Sequence, residues 1–170
     1  HQALVHRPGL GDQQCVQALL ALGEDYMRSG LLDRAETVFS DLVALDMRAP
    51  LALRHLIGIY QSERDWGKAI ENARRYGGAT GEPMGKLIAP LQCGLAERDR
   101  SAGEADAARE AVGRAYEADA NSVRAGMIEG RLEVDAGNDA GAIRAFERVA
   151  RVDPDYLPEI LPALLDCYAR

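Results

Sequence analysis

The residues able to do chemistry are few and widely spaced. Three histidines (His1, His6 and His55) and three cysteines (Cys15, Cys93 and Cys167) are the soft metal ligands of the 170-residue chain. They do not fall at the short spacings of a zinc site, and no CxxC occurs. An odd, dispersed set of cysteines reads instead as buried thiols in a reducing compartment. The segment from Gly78 to Lys86 has the outline of a phosphate-binding loop, in which a glycine, four residues, and then Gly-Lys-Ser/Thr cradle a nucleotide. Thr80 stands where the first glycine is required and Leu87 where the magnesium-binding hydroxyl belongs, so the segment predicts a loop between helices. Carboxylates such as Glu24, Asp25, Glu97 and Glu133 lie on helical patterns whose default is an ordinary solvated face. No Ser-His-Asp or Cys-His arrangement is legible from the spacing. The expectation is a chain with no catalytic residues, no metal and no cofactor.

Composition narrows the scaffold that must carry whatever function remains. Hydrophobic residues make up 47% of the chain but aromatics only 5%, so Ala and Leu must fill most of the core. Small side chains let helices approach closely, which suits stacked helix pairs better than a sheet core. The net charge is −7, from 20 basic and 27 acidic side chains, which argues against nucleic acid as the main partner. No apolar run reaches membrane-spanning length and no signal peptide is visible. The opening at His1 and the close inside an apolar helical pattern read as a piece of a longer protein.

Aligning the chain on its small residues exposes a period close to 34, the length of a tetratricopeptide repeat. The first copy carries Leu22, Gly23, Tyr26, Gly30, Ala35 and Phe39, and the second Leu53, Leu56, Tyr60, Ala69 and Ala73. The third supplies Leu95, Ala96, Gly103, Ala108, Val112 and Ala115, and the fourth Gly130, Gly137, Ala142, Phe146, Val149 and Pro154. Repeats are expected at 16–49, 50–83, 89–122 and 123–156, with partial repeats at 1–9 and 157–170 in one array. The fold class is therefore all-α: stacked antiparallel helix pairs in a right-handed superhelix. Gly23, Ala96 and Gly130 should sit where the two helices of a pair cross, with Ala35, Ala69, Ala108 and Ala142 opposite them. Gly30, Gly103 and Gly137 should end helices in the left-handed conformation. Asp65 and Asn121-Ser122 are expected N-caps, and Pro50, Pro90, Pro158 and Pro162 should fall near helix starts. The step from the second repeat to the third is about five residues too long. The excess is placed in a loop from Gly77 to Gly85, read as a hinge ahead of a recognition element. Helix faces left open at the ends of the array are expected to self-associate.

In this architecture the first helix of each pair lines a concave groove, the natural place to hold a protein. Its outward positions include Gln17, Leu20, Glu24, Met27 and Arg28, then Arg54, Gln61 and Ser62. Cys93, Glu97 and Arg100 follow, and then Arg124, Met127, Arg131 and Asp135. Glu24, Met27, Arg28, Arg54, Gln61, Glu97, Arg100, Arg124, Met127 and Arg131 form the candidate partner-binding set, because Arg and Met are favoured at interfaces. For any one of these arginines, pairing with an acidic neighbour in the same array is about as good an explanation. Repeat proteins that clamp the C-terminal carboxylate of heat-shock chaperones use a Lys/Asn/Arg set on these faces; Leu20 and Glu24 at matching positions disfavour that role.

The segments LGEDYMRSGLLDRAE, IYQSERDWGKAI and ADANSVRAGMIEGR resemble the middle repeats of the bacterial lipopolysaccharide assembly protein B family, and the likeness runs through essentially the whole chain. It implies a parent protein with an N-terminal membrane helix, cytoplasmic repeats and a C-terminal rubredoxin-like zinc module, of which this chain would hold only repeats. It also implies an adaptor at the cytoplasmic face of the inner membrane. Such an adaptor brings the deacetylase of the lipid A pathway to a membrane-bound AAA+ protease, restraining lipopolysaccharide synthesis. The resemblance assigns no binding residue on this segment. A scaffold for another envelope or secretion complex, and the substrate-recruiting repeats of a larger enzyme, remain open alternatives.

Overall fold

The structure, a computed structural model, describes residues 12–170 and the side chains from residue 14 onward. The partial repeat expected at 1–9, with His1 and His6, lies outside the described residues. Among the described residues the secondary structure is helical, with no strand. The helices are α1 (Asp12–Arg28), α2 (Leu32–Ala44), α3 (Ala49–Ser62), α4 (Trp66–Thr80), α5 (Gly85–Ser101), α6 (Ala105–Ala118), α7 (Val123–Asp135), α8 (Asp139–Val152) and α9 (Leu157–Ala169), with a 3-10 turn at Pro154–Tyr156 before the last. The chain divides into two compact units, His1–Glu82 and Pro83–Arg170.

In the first unit α1 pairs with α2 and α3 with α4, while α2 also packs against α3. The crossing of α1 and α2 shows why the small positions are small. Phe39 is fully buried, and a Cβ built on Gly23 would stand 2.6 Å from its ring. The other side of Phe39 is covered by His55 of α3, stacked at 4.5 Å between centroids and 10° between planes. Ala35, Ala52, Ala69 and Ala73 have no exposed surface, so the axes close on methyl groups.

The second unit repeats this logic twice. Ala96, Ala108, Ala115 and Ala125 are fully buried and join Cys93, Ile128 and Leu132 in one core. A second core gathers Met127, Ala142, Phe146, Val149, Ile160 and Cys167 from α7, α8 and α9. At Gly130 a Cβ would approach the Phe146 ring to 2.3 Å, and at Gly126 it would approach Val149 to 2.6 Å. The outer face of α9 carries exposed Leu157, Leu161, Leu165 and Tyr168.

The turns within pairs share one device. The amide of the third residue beyond each first helix donates to a carbonyl five positions back: Leu31 to Tyr26, Asp65 to Tyr60, Glu104 to Asp99 and Asn138 to Glu133. The residue before that amide takes positive φ, +72° at Gly30, +81° at Gly103 and +70° at Gly137. In the second repeat the same place is held by Arg64, with φ 59°. A side chain in this conformation is strained, so Arg64→Gly should raise stability by about 0.5–1 kcal/mol, after its entropy cost in the unfolded chain. A urea midpoint that stays put or falls would show that Arg64 is held there by something other than turn geometry.

Capping follows the sequence at two helices and adds a third. Asp65 Oδ1 accepts from the Lys68 amide at 3.1 Å, and Ser122 Oγ accepts from the Ala125 amide at 3.3 Å. Asn138 caps α8 through the Gly141 amide, also at 3.1 Å. Pro50 and Pro158 lie in first turns as expected. Pro90 and Pro162 do not: α5 and α9 begin earlier, leaving both prolines inside helices on exposed sides, where each removes a backbone hydrogen bond. The expected Gly77–Gly85 loop is also shorter than read. Helix α4 runs through Thr80 and stops at Gly81, whose φ is +73°, and α5 starts at Gly85. The additional residues therefore lengthen helices.

Candidate functional site

The candidate residues sit on the first helices of their pairs, but their freedom differs. Arg28, Arg54, Gln61, Arg124 and Arg131 are exposed, while Glu24, Met27, Glu97 and Arg100 are half-buried. Met127 corrects the expectation: it is 8% exposed and belongs to the core with Phe146 and Ile160. Leu20 and Cys93, placed on the same face by the repeat pattern, are buried as well. The part of a first helix left to solvent is narrower than a single pair suggests.

In the second unit several of these residues form one ionic ladder across three first helices. Arg100 of α5 donates to Asp135 of α7 at 2.8 Å and reaches Glu97 at 3.5 Å. Arg131 of α7 pairs with Glu97 at 3.5 Å and, on its other side, with Glu159 of α9 at 3.5 Å. Glu97, Arg100 and Arg131 are thus brought together, and their charges are spent largely on one another. Such partly exposed pairs contribute about 0–1 kcal/mol each, so the ladder chiefly orders the face. Asp135 and Glu97 raise the already high pKa of Arg100. Glu159 escaped sequence reading because it lies in a partial repeat, and because it stands 28 positions from Arg131 where the other two inter-helix pairs of the ladder are 34 and 35 apart.

The first unit is organised differently. Arg28 pairs with Asp25 one turn before it, and Glu24 lies 3.4 Å from His55 Nε2. Arg54 and Arg124 make no ion pair or hydrogen bond among the described residues. They are the exposed cations of the candidate set that no acidic neighbour neutralises.

Where one pair stacks on the next, buried or half-buried phenols meet carboxylates. Tyr60 donates to Glu36 at 2.6 Å, and Lys68 lies 4.9 Å from the Tyr60 ring centre and 3.6 Å from Glu36. Tyr116 donates to Glu129 at 2.7 Å, while Arg148 lies over the Tyr116 ring at 5.2 Å and donates to Glu129 at 3.1 Å. Burial first, and then the adjacent carboxylate, pushes both phenols well above the usual tyrosine range. These are structural locks rather than acid–base groups.

Cys93 and Cys167 are buried and Cys15 is half-buried. Burial pushes the Cys93 thiol up, away from the reactive thiolate. Among the described residues no group of three or more His, Cys, Asp or Glu is placed to hold a metal, and no helix is long and apolar enough to cross a membrane.

A helical-pair scaffold with a charged first-helix face can be compared with known proteins. No protein-family model matches the sequence. The chain is 34% identical to lipopolysaccharide assembly protein B of Escherichia coli (strain K12) over 169 residues, 99% of this chain and 43% of that protein. The two sequences are homologous. Lipopolysaccharide assembly protein B of Haemophilus influenzae is 32% identical over 170 residues, again 99% of this chain and 42% of the relative. The chain thus spans less than half the length of the curated relatives it matches. Among solved structures, one of MamA superposes with a TM-score of 0.55 at 23% identity, covering 86% of this chain and 83% of that one. The Cut9 and Hcn1 assembly of the APC/C gives 0.53 at 17% identity, over 91% of this chain and 32% of that one. These structural likenesses establish the tetratricopeptide-type helical fold, and the homology to lipopolysaccharide assembly protein B covers the chain almost from end to end.

Proposed function

We propose that this chain is the protein-holding part of an adaptor that restrains lipopolysaccharide synthesis. In this role it brings the lipid A pathway deacetylase to a membrane-bound AAA+ protease. The observation that carries this is homology to lipopolysaccharide assembly protein B along 99% of the chain. Each unit fits the role: the first helices of the second are ordered by the Glu97–Arg100–Arg131 ladder and carry Arg124, those of the first carry Arg54, and neither arginine has an ion pair or hydrogen bond among the described residues. An unpaired arginine at such a place can take a partner's carboxylate in a bidentate contact. The adaptor would work at the cytoplasmic face of the inner membrane, held there by an anchor outside this chain.

The test is charge reversal of Arg54 and Arg124 in the full-length parent. Arg131 is left intact because reversing it would break the ladder through Glu97 and Glu159. With helicity and thermal midpoint unchanged, deacetylase turnover after a block of translation should slow about tenfold, as expected when a charged contact at an interface hot spot is lost. Turnover at the wild-type rate would remove these two arginines from the contact, and loss of turnover only together with loss of fold would do the same.

A further inference from the structure

The second unit contains a template that shows what the first unit lacks. Ala69 and Ala142 occupy equivalent places in α4 and α8, so Asn72 corresponds to Ala145 and Arg75 to Arg148. On the preceding helices, Val43 corresponds to Tyr116 and Leu56 to Glu129. In the second unit Arg148 is satisfied from within, by the Glu129 carboxylate at 3.1 Å and the Tyr116 ring at 5.2 Å. In the first unit Val43 and Leu56 supply neither carboxylate nor ring. Arg75 there is exposed and makes no ion pair or hydrogen bond among the described residues. Glu71, one turn before it, is exposed and does not pair with it.

The space that those two side chains would fill is open. A cavity of about 340 Å³ lies between α2, α3 and α4, with Val43, Leu56, Asn72 and Arg75 in its lining. Asn72 is the second anomaly there. It is only 6% exposed, and its Nδ2 donates to the Lys68 carbonyl at 2.8 Å, which fixes the orientation of the amide. Its Oδ1 is buried with no hydrogen-bond partner. A buried acceptor without a donor is costly, and the equivalent Ala145 shows that this place in the repeat does not need one. Lys68, at the same cavity, is already engaged by Glu36 and Asp65 at 3.6 Å each, so Arg75 is the cation left to offer.

We propose that this cavity binds a protein segment through an acidic side chain, whose carboxylate takes on Arg75 the place Glu129 holds on Arg148 and whose backbone N–H satisfies Asn72 Oδ1. A peptide residue provides both groups at once, a donor on the main chain and an acceptor a few atoms away. Val43 and Leu56 form the apolar floor for the methylene stem. An aromatic residue beside the acidic one would supply the ring that Tyr116 gives in the template. The site shares no residue with the first-helix face and does not depend on the adaptor role.

The experiment is selection of a displayed library of random short peptides on the intact chain and on its Arg75→Glu variant. The wild-type chain should enrich peptides with Glu or Asp next to an aromatic residue. The enriched peptide should bind about tenfold more weakly to Arg75→Glu, and similarly to Asn72→Ala. Asn72→Ala should keep or raise the thermal midpoint, because it removes an unsatisfied buried acceptor and copies Ala145, so weaker binding by that variant cannot be put down to unfolding. Selection of the same peptides by Arg75→Glu, or an enriched set without acidic residues, would overturn the proposal. Free glutamate binding as tightly as the enriched peptide would overturn it too, because the main-chain donor would then be unnecessary.

Discussion

Gly130→Leu should cost the second unit about 3 kcal/mol, seen as a lower urea midpoint with an unchanged slope. The reason lies in the crossing of α7 with α8. Even a Cβ at this position would meet Phe146 Cε1 at 2.3 Å and Cζ at 2.6 Å, well inside van der Waals contact. Phe146 is 2% exposed and packed with Ala142, Val149 and Ile160, so its ring has little room to swing away. Either the helices separate, opening the core on both sides of α8, or the ring is driven from its rotamer. Shortening the obstacle should help: Gly130→Leu combined with Phe146→Ala should recover part of the loss. The two changes touch each other, and non-additivity is the expected signature. An undisturbed midpoint for the single variant would mean that the pair does not cross at Gly130.

The features legible in the sequence share a cause. Small residues at helix crossings, glycines at helix ends and capping side chains each act within one pair, where the period fixes who meets whom. Gly23 and Gly130 were readable as crossing points for that reason, although the side chains that meet them are Phe39 and Phe146 rather than the expected alanines. Features that depend on a neighbouring pair were not. Met127 and Cys93 have the spacing of surface residues on their own helices and are buried against helices of the next pair. Pro90 and Pro162 mark helix starts in an average repeat, but α5 and α9 begin a turn earlier. The Arg75 cavity is still less visible, because it exists through absence: nothing about Val43 or Leu56 is unusual until Tyr116 and Glu129 are set beside them.

The same comparison accounts for the candidate arginines. The chain pairs several of its arginines internally, and the ladder from Arg100 through Glu97 and Arg131 to Glu159 does so over three helices. Counting arginines on a face therefore overstates what a partner can use. Arg54, Arg124 and Arg75 are informative because, among the described residues, no carboxylate reaches them.

A second large effect is expected where the obstacle is backbone. Gly85 opens α5, and a Cβ there would stand 2.2 Å from the carbonyl oxygen of Ala118, the last residue of α6. A ring can rotate, but this oxygen moves only if the end of α6 moves. Gly85→Ala should therefore destabilise the second unit by about 2–3 kcal/mol, although alanine is ordinarily the better helix former. Gly113 in α6 and Gly58 in α3 provide the contrast, since a Cβ at either would meet nothing within 4 Å. Replacing each with alanine should stabilise by about 0.5–1 kcal/mol, the usual gain inside a helix. Urea denaturation of the three single variants makes the comparison direct. If Gly85→Ala proves as benign as Gly113→Ala, the close approach of α5 to the end of α6 is not a constraint, and glycine at position 85 would be there for chain entry alone.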